Sequence, residues 1–382
     1  MRFTLPKKRL IAAVKAVLPA VPTRPGLPVL AGVRIDAGGN LLSLKATDLE
    51  VAIEEFVATD ASVEEAGAAI VPAKRLLKAL QAMAEDDVVL AASAPEEGRL
   101  TVDVIAGNRT VTLDAYPAED WPEFPSHAET TSVATVEASP LADALTRAAL
   151  CASTDEARPI LTAVALSFDE GSDALEVVAT DSYRLGLIRI PLAAPPVALE
   201  RPLLVPARAA KSLAKRLKGE REVRILTEPD PTGGGSRAVF SFGRADWWVR
   251  TIEGEFPNWR QVMPEPEGGC LEFDASELES ALKAASAVRE SGSAPVRLAL
   301  DRECALTLSE PDLGTVREEL AGARFSPDGV GPLEVAFNPE YLADGIRFAG
   351  EERGRLWVRD GLKPALFEGP GRSYAVMPVR TR

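Results

Sequence analysis

The chain of 382 residues carries one histidine, His127, and three cysteines, Cys151, Cys270 and Cys304. A serine–histidine triad has only that imidazole to draw on, and a multi-histidine metal site is excluded. The cysteines are odd in number and none forms a C-x-x-C pair. They read as buried structural thiols of a reducing compartment. Asp and Glu number 57 against 43 Lys and Arg, yet no carboxylate pair stands out. Asp246-Trp247-Trp248 and Glu253 with Glu255 lack metal-ligand spacing. Asp48 and Asp181 close the same short motif at two places, which favours a turn or capping role over catalysis. Gly233–Ser236 lacks the Gly-Lys-Ser/Thr ending of a phosphate loop and reads as a hairpin loop. His127 sits in a Pro/Ser stretch and is expected on the surface. With no nucleophile elbow, H-E-x-x-H or EF-hand pattern present, the residues assemble no catalytic set.

The elements that carry these residues recur. Leu42–Asp48 (LSLKATD) resembles Leu175–Asp181 (LEVVATD), 133 residues on, and more loosely Leu306–Asp312 (LTLSEPD), a further 131 on. Val71-Pro72-Ala73-Lys74 matches Val205-Pro206-Ala207-Arg208 and, weakly, Phe337-Asn338-Pro339-Glu340. Leu27–Leu30 corresponds to Arg158–Leu161 and loosely to Ala294–Arg297. Phe3 to Leu18, Val136 to Leu150 and Phe273 to Val288 each read as a short strand followed by an amphipathic helix. Four markers in one order make three homologous units of roughly 130 residues, the size of a domain rather than of a solenoid repeat. Leu10, Ile11, Val14, Val17 and Leu18 form a helical stripe, and Leu76, Leu77, Leu80 and Met83 another. Val33–Asp36, Leu100–Val104 and Val111–Asp114 alternate as half-exposed strands. Each unit is therefore α+β, two helices backed by antiparallel sheet. Turn-rich stretches at Tyr116–His127 and Met263–Gly269 place the domains at residues 1–126, 127–267 and 268–382.

Charge is segregated. The chain is 46% hydrophobic and 26% charged, with net charge −14, which argues against disorder and against an overall basic coat. Yet Thr4–Ala20, Ala73–Ala84 and Pro206–Gly219 hold twelve Lys and Arg and no acid. Arg208, Lys211, Lys215 and Lys218 share one helix face. Such a face is either ordinary solvated surface or a surface that meets a polyanion. Its recurrence at equivalent repeat positions favours the polyanion. The third unit departs: Glu277, Glu279, Lys283, Arg289, Glu340, Asp344 and Arg347 bring its helices near neutrality.

These features together resemble the bacterial DNA polymerase III beta subunit, the beta sliding clamp family. The matching pieces are Met1–Thr4, Arg24–Leu30, Ala46–Glu50, Val71–Lys74, Val178–Leu185, Val205–Arg208, Gly254–Trp259, Phe337-Asn338 with Tyr341, and Tyr374–Arg380. Their order and spacing span nearly the whole chain. The resemblance implies a clamp whose domains each turn two helices to a central hole and sheet outward. Two chains would join head to tail in a ring around duplex DNA. The implied DNA contacts are Arg24 and Arg158 with Lys7, Lys8, Lys15, Lys74, Lys78, Arg208, Lys211, Lys215 and Lys218. They would touch phosphates without reading bases.

The resemblance also implies a pocket between the second and third domains for short peptides of the polymerase catalytic subunit, clamp loader, other polymerases, ligase and mismatch-repair proteins. Carried residue by residue, it comprises Thr180, Ser182, Tyr183, Arg184 and Leu185, with Pro257 and Val262. From the third domain come Asn338, Tyr341, Leu362, Ala375, Met377, Pro378, Val379 and Arg380. Read without the resemblance, Met377-Pro378-Val379 is an edge strand closing the last sheet. Departures from the family pattern are Ser182-Tyr183, Gln261, Ser293, Pro159-Ile160 and the terminal Thr381-Arg382. Three functions follow for test: a non-catalytic processivity clamp, a clamp-like protein-binding paralogue that forms no ring, and an enzyme on an unrelated fold. The clamp implies no cofactor, no membrane span and a cytoplasmic location.

Overall fold

The computed structural model describes every residue except 40, 58–61, 97, 98, 170, 230–235, 290–293, 311, 381 and 382. Most of the glycine loop, Ser293 and the terminal Thr381-Arg382 thus lie outside the described residues. The chain forms two compact units: Met1–Ser139 with Lys215–Thr251, and Pro140–Ala214 with Ile252–Arg382. The middle repeat contributes to both.

Seven α-helices are described: α1 (Lys7–Val17), α2 (Ala73–Ala82), α3 (Ala138–Cys151), α4 (Ala207–Arg216), the single turn α5 (Trp259–Val262), α6 (Ala275–Ala285) and α7 (Pro339–Ala349). The six longer ones come as two per repeat, as the periodicity predicts. Leu10, Val14 and Val17 of α1 and Leu76 and Leu80 of α2 are buried, so the apolar stripes are the packing faces. Pro72 and Pro206 stand immediately before α2 and α4. The N-terminus of α6 is capped by Asp274, whose carboxylate accepts from Ser276 N and Glu277 N, and that of α7 by Asn338. Helix α7 stops at Gly350, whose left-handed backbone (φ 70°) lets its N–H reach Ile346 O.

In the first unit a five-stranded sheet runs Ser62–Glu65, Arg2–Pro6, Asp87–Glu96, Arg99–Ala106, Arg109–Ala115. An eight-stranded sheet runs Thr131–Glu137, Glu222–Pro229, Ser236–Phe242, Ala245–Arg250, Val51–Val57, Leu41–Thr47, Gly32–Gly38, Gly67–Pro72. In the second unit nine strands run Leu203–Pro206, Ala163–Ser167, Ala174–Thr180, Arg184–Pro191, Arg372–Val376, Ala365–Gly369, Arg353–Val358, Gly269–Asp274, Arg324–Ser326. Gly314–Glu319, Ala305–Glu310, Val296–Leu300 and Leu333–Phe337 make the four-stranded sheet beside them. The two large sheets each cross a repeat boundary by one antiparallel seam. Val51–Val249 opens one and Arg184–Val376 the other. All three cysteines are buried thiols. Among the described residues no helix is long and apolar enough to cross a membrane.

Candidate functional site

At the seam of the nine-stranded sheet the chain makes a tight turn, Thr180–Arg184. Asp181 Oδ1 accepts from Tyr183 N (2.9 Å) and Arg184 N (3.0 Å), and Thr180 Oγ1 donates to Arg184 O (2.7 Å). Ser182 sits at φ 80°, a left-handed position that glycine adopts most readily. Asp48 accepts from Glu50 N and Val51 N in the same way. Both aspartates therefore act as turn residues, as their repetition suggests.

The turn fixes a half-buried arginine. Arg184 Nε donates to Asp181 Oδ2 at 2.9 Å and Nη1 to Asp344 Oδ2 of α7, while its guanidinium lies 4.3 Å from the Tyr341 ring centre. Burial opposes the charge, but Tyr374 and Asp181 more than offset it and hold the guanidinium above its ordinary range. The Tyr341 ring stacks on that of Tyr183 with centres 6.5 Å apart, and burial and Asp181 push its phenol up. Tyr374 donates to Tyr341 O at 2.8 Å.

Against this turn opens a cleft of about 400 Å³. Its floor is Leu185 and Ala375, paired across the seam and continuous with a core of Val178, Leu187, Phe256 and Trp259. Thr180, Ser182, Tyr183 and Arg184 form one wall, Pro257 and Val262 a second, and Met377 the third. Tyr183 and Val262 are more than half exposed. An apolar, open cleft with few polar groups suits the apolar side chains of a partner.

Nine of the fifteen residues the resemblance assigns line this cleft: Thr180, Ser182, Tyr183, Arg184, Leu185, Pro257, Val262, Ala375 and Met377. Tyr341 instead backs Tyr183 and Arg184. Asn338 caps α7, its Oδ1 accepting from Glu340 N at 2.9 Å. Leu362, Pro378, Val379 and Arg380 lie outside the lining. Pro364 and Val376 line it without being foreseen, although the apolar run Tyr374–Val376 carried a signal for the second. The edge-strand reading of Met377–Val379 does not hold. The strand ends at Val376 with partners on both sides, and the chain runs on with Met377 N bonded to Tyr183 O (2.8 Å) and Val379 N to Ala336 O (2.7 Å).

The basic residues divide by environment. Lys8, Lys15, Arg24, Lys74, Lys78, Arg158, Arg208, Lys211, Lys215 and Lys218 are exposed. Lys7 is half-buried, and its Nζ donates to Met83 O (2.9 Å) just beyond α2. Arg158 reaches Asp155 and Ser182, which puts it beside the cleft turn. Arg216 is tied to Glu220 (2.7 Å) and Glu55 (3.1 Å). His127 is exposed but not loose: Nε2 lies 3.1 Å from Asp246 Oδ2 and its ring packs on Trp248.

Comparison with known proteins decides the family. The N-terminal, central and C-terminal domains of the DNA polymerase III beta subunit match residues 1–125, 135–258 and 260–380. The chain belongs to the DNA polymerase III beta subunit family. The beta sliding clamp of Synechococcus elongatus is 30% identical over the full length of both chains. A Bacillus subtilis sliding clamp, 23% identical, shares the fold over all of both chains with TM-score 0.90. A Pseudomonas aeruginosa sliding clamp solved bound to griselimycin is 25% identical, covers all of both chains and superposes with TM-score 0.88. The protein is thus a sliding clamp of three tandem clamp domains, a non-catalytic processivity factor. In this clamp the cleft is built by the central domain, up to Pro257, and the C-terminal domain, from Val262.

Proposed function

We propose that this clamp closes head to tail as a homodimer around duplex DNA and offers the Leu185–Ala375 cleft to short apolar segments of the replicative polymerase, the clamp loader and repair proteins. The cleft carries the reading: an open apolar trough in a clamp-family chain, walled by rigid turns. Griselimycin, bound by the Pseudomonas aeruginosa clamp, is proposed to seat here. Domain boundaries at 1–126, 127–267 and 268–382 and a cytoplasmic location, at the nucleoid during replication, belong to the same proposal. ATP and magnesium chemistry belongs to the loader and polymerase.

Edge strands support ring closure. Arg109–Ala115 ends the five-stranded sheet and Gly314–Glu319 the four-stranded sheet. Each presents backbone donors and acceptors that a strand of another copy can satisfy. Pairing one edge with the other in a second chain is heterologous, and two such contacts close a ring. Arg24, Arg158 and the exposed basic residues of α1, α2 and α4 would meet phosphates.

The test is topological. The protein is loaded by a clamp loader onto nicked circular DNA, salt is raised, and the DNA is linearised. Retention on the circle and loss from the linear form is expected. Equal loss from both sinks the ring and leaves a paralogue that binds proteins alone.

A further inference from the structure

The first unit contains the scaffold of the cleft a second time. Thr47 Oγ1 accepts from Leu49 N at 2.9 Å as Thr180 Oγ1 does from Ser182 N at 3.1 Å. Leu49 and Ser182 share a left-handed backbone, φ 76° and 80°. Arg250 N donates to Glu50 O at 2.8 Å as Met377 N does to Tyr183 O at 2.8 Å. The ladders agree in register: Ala52 faces Trp248 where Leu185 faces Ala375. The cover repeats too. Phe124 packs on Ala52 and Trp248 of one seam and joins them to Val29, Leu30 and Trp121, while Ile160, Phe256 and Trp259 pack on Leu185 and Ala375 of the other. Phe124 follows Trp121 by three residues as Val262 follows Trp259.

What differs is the side chain at one paired position. Ala375 leaves the cleft floor open. Trp248 is 2% exposed and packs among Ala52, Leu226, Val239 and Phe124, the Phe124 ring meeting it edge-on at 5.5 Å. Its Nε1 is buried and finds no acceptor among the described residues. The same holds for Trp121, Trp247 and Trp259, so it is the packing of the Trp248 ring on Ala52, Leu226, Val239 and Phe124 that marks this position as filled by bulk. We propose that this register position is the specificity determinant of the clamp: alanine at 375 makes one seam a binding site, and tryptophan at 248 keeps the other a filled, latent copy. The proposal rests on the cleft being the peptide site.

The test is calorimetric titration of the full chain with two probes, griselimycin and indole. Wild type is expected to take one griselimycin per chain and no indole. Across A375V, A375L and A375W, griselimycin affinity is expected to fall stepwise. For A375W the loss reaches at least about 30-fold, the scale of a lost hot spot. W248A is expected to bind indole and to melt at a higher temperature with it, as an apolar core cavity takes a small aromatic. A W248A that folds only in indole also supports the proposal. Undiminished griselimycin binding through a folded alanine-375 series overturns it, as does a folded W248A indifferent to indole. If A375W fails to fold, A375V and A375L carry the gradation. Absence of griselimycin binding to wild type would instead remove the peptide reading, and the W248A titration would still decide the filled seam.

Discussion

Arg184 lines the cleft, as the resemblance implies, with its charge already paired inside the protein. Its donors go to Asp181 and Asp344 and its face to Tyr341. It positions the wall that Tyr183 presents. The side chains of Arg184, Asp181 and Asp344 are only 12%, 10% and 16% exposed, so removing the arginine strands two carboxylates with little water. Arg184→Ala is expected to lower stability by about 3 kcal/mol, read as an earlier urea midpoint with unchanged slope. The double variant Arg184→Ala/Asp344→Ala should lose less than the two singles summed, because it strands fewer charges. Additive losses would contradict the network. The thiols give a second residue-scale outcome. Burial pushes Cys151 and Cys304 up, and burial with Glu272 brings Cys270 up to about 11. Near pH 8 none is a thiolate in the native state, so alkylation should await unfolding; rapid labelling of the native protein would count against this. The Thr-Asp turn was legible because it repeats. Asp344 was not, because its partner lies 160 residues away and no spacing rule links them.

Among elements, helices and half-exposed strands were legible from periodicity, and the joining of sheets across repeats was not. Alternation says which face of Val33–Asp36 is buried, but no spacing says that Val51–Val57 will take Ala245–Arg250 as its neighbour. The second unit shows how tightly such joins are packed. A Cβ on Gly186 would lie 2.4 Å from a Phe348 ring carbon of α7 and 2.8 Å from Cys151 Sγ of α3. Only glycine lets that strand approach both helices. Gly186→Ala should cost about 1–3 kcal/mol by overpacking and lower the melting temperature by several degrees. Restoration by Gly186→Ala with Phe348→Leu would assign the loss to this contact. A melting temperature equal to wild type would mean that the helices yield at no cost. The end of α7 is pinned as well: Arg147 donates to Arg347 O and Phe348 O and Arg372 to Ala349 O, with Asp143 beside both guanidinium groups. Arg147 and Arg372 thus cap the last carbonyls of α7 and its dipole together.

At the scale of the whole molecule, net charge and function point in opposite directions. A chain at −14 repels a polyanion on approach, the more so at low salt where screening is weak, and attraction must come from local faces whose acids have been cleared away. Helix α4 with the turn beyond it is such a face: Arg208, Lys211 and Lys215 of the helix and Lys218 of the turn are exposed, while Ala210, Leu213 and Ala214 are buried. Helices α6 and α7 are not, since Arg289 and Arg347 are engaged with Glu340 and Asp344. Each phosphate neutralised by a lysine contributes about 0.9 to the slope of log affinity against log salt. Lys211→Ala/Lys215→Ala/Lys218→Ala should therefore flatten that slope by about 2 to 3 for linear duplex, measured by fluorescence anisotropy across ionic strengths. Lys283→Ala in α6 should change it by less than about 1. Once the ring is loaded on circular DNA, the triple variant should still be retained, because topology rather than affinity then holds it. A slope unmoved by the triple change would transfer the DNA contact to Arg24, Arg158 and the helices of the first repeat. Loss of the triple variant from the circle would mean that charge, not closure, does the holding.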